Sequence, residues 1–130
     1  MVDTDILSLF LRGDSKVVAR FAEYLAAHGK INFSIITYYE IVSGLKHRDA
    51  RKQLKVFLDF LEHATVLPLS VEAANLAADQ YAASRKRGQP IDDIDLLIAG
   101  IALASQLVLV TRNREHFKRI AGLELADWTP

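Results

Sequence analysis

The stretch "LVLVT", Leu107 to Thr111, restricts the possible folds more than any other part of the chain. Four consecutive apolar residues in a strand put nonpolar side chains on both of its faces. Such a strand needs helices above and below it, the arrangement of a parallel sheet. The residues just before it supply one such helix. In "PIDDIDLLIAGIALASQ", Ile94, Leu97, Ile98, Ile101 and Ala102 recur at the spacing of a buried helical stripe. The same alternation runs through the rest of the chain. "MV", "INFSI", "TVLPL" and "LELADW" read as short strands. "TDILSLF", "SKVVARFAEYLAAHG", "TYYEIVSGLKH", "DARKQLKVFLDFLEH", "SVEAANLAADQYAASRKRG" and "NREHFKRI" read as helices. Ser15 and Ser70 are the expected N-caps, and Gly29 and Gly88 the expected stops. Leu54, Phe57, Leu58 and Leu61 are expected on one apolar face. Together these predict a single α/β domain over residues 1–130, with helices on both sides of a small parallel sheet.

Composition narrows the chemistry. The chain has no cysteine, which excludes disulfides, thiolate metal sites and cysteine nucleophiles. It shows no secretory signal pattern and no apolar run of the ~18 residues a membrane span needs, so a cytoplasmic location is expected. Sixteen basic residues balance sixteen acidic ones, giving no overall positive field to attract nucleic acid. The basic residues are nonetheless grouped. Lys46, Arg48, Arg51, Lys52 and Lys55 form one cluster, Arg85, Lys86 and Arg87 a second, and Arg112, Arg114, Lys118 and Arg119 a third. Each also reads as an ordinary solvated face.

The acids are more informative. Right-handed crossovers put every strand-to-helix turn on one edge of a parallel sheet, which is where such sheets bind ligands. Asp3 and Asp5 follow the first strand, and Glu40 lies in the helix after the second. Asp95 sits in the first turn of the helix leading to "LVLVT", and Asn113 follows that strand. An ionised carboxylate inside the apolar opening "MVDTDILSLF" needs compensation to leave water. Oxygen ligands favour Mg²⁺ or Mn²⁺, and none of the four histidines has metal-motif spacing or an obvious acidic partner. Plainer roles exist for each residue. Asp3 or Asn113 can cap a helix, Asp92, Asp93 and Asp95 gain from a helix dipole, and Glu40 can be a solvent-exposed acid.

The blocks "VDTDILSLF", "SIITYYEIVSGL" and "GQPIDDIDLLIAGIALASQLVLVTRNREHFKRIAGLELADW" resemble, in order, those of PIN-domain ribonucleases, above all VapC-type toxins of prokaryotic toxin–antitoxin systems. The resemblance spans residues 2 to 128. It implies a three-layer α/β/α sandwich and a Mg²⁺- or Mn²⁺-dependent endoribonuclease site. By motif position it implies Asp3, Glu40, Asp95 and Asn113 as catalytic residues, with Asp3 and Asp95 on the metal. Thr4 and Thr111 match hydroxyl residues that flank the site. Asp5 departs from the family, which more often has asparagine there. Lys46, Arg48, Arg85, Arg87, Arg112 and Arg114 are the expected contacts to the RNA backbone. A VapB-like antitoxin and a homodimer are the implied partners.

Two other phosphate-handling folds fit less well. A haloacid-dehalogenase-type phosphatase also opens on D-x-D but lacks a match here at Leu7, and no later lysine motif is evident. A receiver domain needs an aspartate ending its third strand, and "TVLPLS" offers none. A housekeeping RNA-processing nuclease and a non-catalytic PIN-like binding module remain as alternatives within the same fold.

Overall fold

Val2 joins the two halves of the sheet. The computed structural model describes residues 1–130. Strand β1 (Ile31–Ser34) pairs in parallel with β2 (Ala64–Leu67), and β3 (Leu109–Val110) pairs in parallel with β4 (Leu125–Ala126). Between them lies the N-terminal segment. Val2 donates its N–H to Asn32 O at 2.8 Å on one side. On the other it bridges Val110 in parallel, with Val110 N–H to Met1 O and Asp3 N–H to Val110 O both at 2.8 Å. The resulting order is β2–β1–(residues 1–3)–β3–β4, which puts the first residues of the chain at the centre.

Period-2 alternation then separates two cores. Met1 and Leu109 face one side of the sheet, where they pack with Ile98, Ile101, Ala102 and Phe117. Val2 and Val110 face the other, among Ile6, Leu7, Phe21, Phe33 and Phe57. Helices α1 (Thr4–Leu11), α2 (Ser15–His28), α3 (Ile35–His47) and α4 (Arg51–Phe60) cover this second side. Helices α5 (Val71–Lys86), α6 (Asp93–Ala104) and the single turn α7 (Arg114–Phe117) cover the first. The architecture is the expected α/β/α sandwich.

Most element ends are where local chemistry places them. Ser70 Oγ accepts from Ala73 N–H at 3.0 Å and caps α5, and Gly29 closes α2 with a φ of +82°. Ser34 ends β1 and caps α3, accepting from Thr37 N–H at 3.0 Å. The cap of α2 is Asp14 rather than Ser15. The turn at Gly13 brings Asp14 to the cap position, and its Oδ1 accepts from Val17 N–H at 3.1 Å. The strands of "LVLVT" and "LELADW" pair over two residues each, because only their middles lie alongside a neighbour. In α4, Phe57 is fully buried but Leu58 is 42% exposed, so the apolar face is narrower than its sequence pattern.

Helix α6 is buried around most of its circumference, including Leu96, Ala99 and Gly100 beside the expected stripe. It is held between the sheet and α5, which runs antiparallel to it. A Cβ built on Gly100 would lie 2.3 Å from Ala73 O, so only glycine permits this approach. At the other end of the pair, Asp93 and Leu96 lie near Tyr81. The C-terminus of α5, with Arg85 and Arg87, therefore emerges beside the start of α6 and Asp95.

Candidate active site

Asp3 stands where the central segment leaves the sheet and α1 begins. Its φ of −78° and ψ of 164° are those of an N-cap, and its Oδ1 accepts from Thr4 N–H at 2.8 Å. Its second oxygen, Oδ2, accepts from the Thr111 hydroxyl at 2.8 Å, at the end of the adjacent strand. Capping and the site thus use the same side chain. Asp3 is only 5% exposed, and burial pushes its carboxyl up to about 7. The charge of Asp5 adds to this, the hydrogen bonds from Thr111 and Thr4 oppose it, and Asp95 contributes last.

Asp5 is tied to the loop after β3. Its Oδ2 accepts from Arg112 N–H at 3.1 Å, while Oδ1 is enclosed with no hydrogen-bond partner. Burial raises its carboxyl too, against the backbone bonds of Arg112 and Ile6 and the charge of Arg112. This carboxyl, with one oxygen bonded and the other without a partner, lies beside Asp3 at the position where the sequence departs from its resemblance.

Glu40 reaches the same edge from α3. The Thr4 hydroxyl donates to Glu40 Oε1 at 2.6 Å and lies 3.0 Å from Thr37 Oγ1. Thr4 has a single proton, committed to a carboxylate that can only accept, so Thr37 donates to Thr4. The fully buried Thr37 escaped the sequence reading because a threonine inside "IITYYE" carries no distinguishing signal. Glu40 is half-buried, and the plainer expectation of a freely exposed acid does not describe it.

Asp95 and Asn113 meet through a residue the sequence reading left out. His116 Nδ1 lies 2.9 Å from Asp95 Oδ2 and 2.7 Å from Asn113 Nδ2. The expectation that no histidine has an acidic partner is therefore corrected: Asp95 and His116 are 21 residues apart and only the fold joins them. Asn113 occupies the N-cap position of α7 without a side-chain capping bond; its backbone N–H donates to Thr111 Oγ1 at 2.9 Å. The neighbouring acids divide as expected. Asp92 caps α6, accepting from Ile94 N–H at 3.1 Å, and Asp93 is an exposed first-turn residue.

The basic residues spread around this edge. Arg48 lines a cleft of about 140 Å³ together with Thr4, Ser8, Glu40 and Gly44, and Arg12, absent from the sequence reading, lines it too. Arg112 and Arg114 are exposed on either side of Asn113. Arg85 stacks its guanidinium 4.3 Å over the Tyr81 ring near the end of α5, and Arg87 caps that helix. Lys46 is exposed in the last turn of α3.

No three acidic or histidine side chains converge tightly enough to cage a cation outright. The donor set nonetheless suits a hydrated one. Mg²⁺ retains several waters and takes one or two direct carboxylates. The strained ionisation of Asp3 and the unpaired Asp5 Oδ1 both call for positive charge at this edge. Asp3 and Asp95 would be the carboxylates to hold it.

Comparison with known proteins identifies the family. The PIN domain family matches residues 1–123. Ribonuclease VapC1 of Haemophilus influenzae strain R2866 is 30% identical over 130 residues, covering 99% of this chain and 97% of the relative. The tRNA(fMet)-specific endonuclease VapC of Shigella flexneri is 28% identical over 130 residues, with the same coverage of each chain. Among solved structures, VapBC2 from Rickettsia felis bound to a promoter DNA fragment superposes with a TM-score of 0.87 at 28% identity, covering 98% of this chain and 97% of that one. VapBC-1 from nontypeable H. influenzae gives 0.87 at 28% identity, over 100% and 98%. This chain belongs to the PIN domain family, among the VapC ribonucleases.

Proposed function

We propose that the protein is a Mg²⁺- or Mn²⁺-dependent endoribonuclease, the toxin of a type II toxin–antitoxin pair acting in the cytoplasm. The observation that carries this reading is Asp3, buried, held by Thr4 and Thr111, and crowded by Asp5 and Asp95 at the carboxyl edge of the sheet. Such a carboxylate costs stability in the protein alone and suits a site that takes up a cation. When bound, the cation lowers the pKa of the attacking water and offsets charge on the scissile phosphate.

The chain's own groups do the rest. Asp3 and Asp95 hold the cation. Glu40 has Oε1 fixed by Thr4, which leaves Oε2 to orient the attacking water and accept its proton. Asn113, on the loop tied to Asp3 through Thr111, bounds the far side of the site. Arg48, Arg112, Arg114, Lys46, Arg85 and Arg87 contact phosphates on either side of the cut, positioning the strand without reading its bases.

VapC relatives solved as VapBC complexes support a VapB-like antitoxin as partner, and we propose a homodimer as the working assembly. Purified protein free of antitoxin is expected to cleave cellular RNA with Mg²⁺ or Mn²⁺ and to stop in EDTA. Undiminished cleavage in EDTA would remove the metal from the mechanism.

A further inference from the structure

Each acid at this edge has an orienting partner. Asp3 has Thr4 N–H and the Thr111 hydroxyl, and Glu40 has the Thr4 hydroxyl. For Asp95 the partner is His116, the one side chain hydrogen-bonded to it, and His116 is also the one side chain hydrogen-bonded to that of Asn113. We propose that His116 is the positioning residue that sets Asp95 and Asn113 through a single Nδ1–H; the proposal rests on the metal-site reading above.

Proton accounting fixes the form of the ring. An ionised Asp95 only accepts, so its 2.9 Å bond requires a proton on Nδ1. A protonated Nδ1 cannot also accept from the Asn113 amide nitrogen. A half-turn of that amide brings Oδ1 to the same place, and one N–H then serves both acceptors. With Oδ2 engaged, Asp95 presents Oδ1 to a cation, and the ring leaves Nε2 open. The histidine is itself held by its neighbour: Phe117 is fully buried and anchors the single turn of α7. The side chain of His116 is 57% exposed, so its removal opens no cavity and a purely packing role does not apply.

The test reads cation binding and ring form, with no RNA present. Mn²⁺ alone is titrated into wild type, His116→Ala, His116→Asn and Asp95→Ala, and imidazole ¹⁵N shifts are recorded at about pH 8.5 without metal. Orienting partners of metal ligands are worth about 10–100-fold in affinity. His116→Ala is therefore expected to weaken Mn²⁺ binding by about that factor. His116→Asn should restore most of it, since its amide nitrogen falls near the place of Nδ1. The wild-type ring is expected in its Nδ1–H form and should lose that preference in Asp95→Ala, which removes the acceptor. An Nε2–H ring in wild type overturns the proposal. So does unchanged Mn²⁺ affinity in His116→Ala when Asp95→Ala has lost it, and that outcome leaves the nuclease reading intact. Absence of Mn²⁺ binding by wild type overturns the metal reading and this proposal together.

Discussion

Asp3→Asn is expected to make the metal-free protein more stable, by an amount that grows with pH. The substitution keeps the shape of the side chain. Its amide oxygen can still accept from Thr4 N–H, and its nitrogen can donate to Thr111 Oγ1 where Asp3 Oδ2 now accepts. What it removes is the ionisation. In the folded protein the Asp3 carboxyl is pushed from 3.8 up to about 7, by burial first and by Asp5 second. A group whose folded pKa is raised holds its proton more tightly folded than unfolded, so stability falls as pH rises. The loss begins near the unfolded value of 3.8 and is complete above about 7. At about 1.4 kcal/mol per pH unit the full penalty is on the order of 4 kcal/mol.

The window matters more than the total. Between pH 5 and pH 8 the linkage relation gives a change of about 2.5 kcal/mol, absent in Asp3→Asn. Contributions of the amide that do not depend on pH cancel from this difference. Urea unfolding of both proteins in EDTA, at steps from pH 5 to pH 8, measures it directly, with equal m-values as the check on comparability. The stability gap in favour of the variant should widen by about 2.5 kcal/mol across the series. Parallel curves would mean that Asp3 ionises normally, and a gap closing with pH would make it a stabilising capping anion. Either refutes the argument from burial and like charge.

Four further outcomes follow from the same geometry. Asp5→Asn should raise metal-free stability at pH 8 more than Asp95→Asn, measured by urea unfolding, because Asp5 acts more strongly than Asp95 on the Asp3 carboxyl. Mg²⁺ should raise the Tm of wild type by mass action and leave that of Asp3→Asn nearly unchanged, read by thermal unfolding with and without EDTA. Asn113→Ala should lower the single-turnover cleavage rate less than Asp3→Ala, since a neutral amide contributes no charge to hold a cation; a reversed ranking would refute the role assignment. Gly100→Ala should cost about 3 kcal/mol by urea unfolding, because the new methyl meets a backbone oxygen of α5 that moves only with its helix.

The fold was legible because its strongest signals are local and redundant. "LVLVT" demands cover on both faces, and the alternation of Met1 with Val2 and of Leu109 with Val110 delivers one residue of each pair to each core. Caps at Ser70 and Gly29 need only their own neighbours. Where two capping residues stand side by side, as at Asp14 and Ser15, the choice depends on how the preceding turn closes. There the bond from Asp14 N–H to Leu9 O decides it. Strand lengths were overread for a related reason. Apolar runs report burial, whereas pairing needs a neighbour alongside, and "LVLVT" has one over two residues only.

The candidate site was legible in its acids and only in part in what holds them. Asp3, Glu40 and Asp95 announce themselves as charges in places where charge is costly or unexplained. The resemblance marks Thr4 and Thr111, whereas Thr37 against Thr4 and His116 against Asp95 are ordinary residues whose role exists only after folding. The electrostatics follow the same rule. Among the charges acting on Asp3, its sequence neighbour Asp5 outweighs Asp95, and Arg112 N–H holds Asp5 there through one of its oxygens. An asparagine at position 5 could keep that bond through its amide oxygen without the charge. Aspartate there thus adds repulsion that the loop contact does not require. A bound cation would offset that repulsion, so the charge that departs from the family pattern is one that a cation at this edge would relieve.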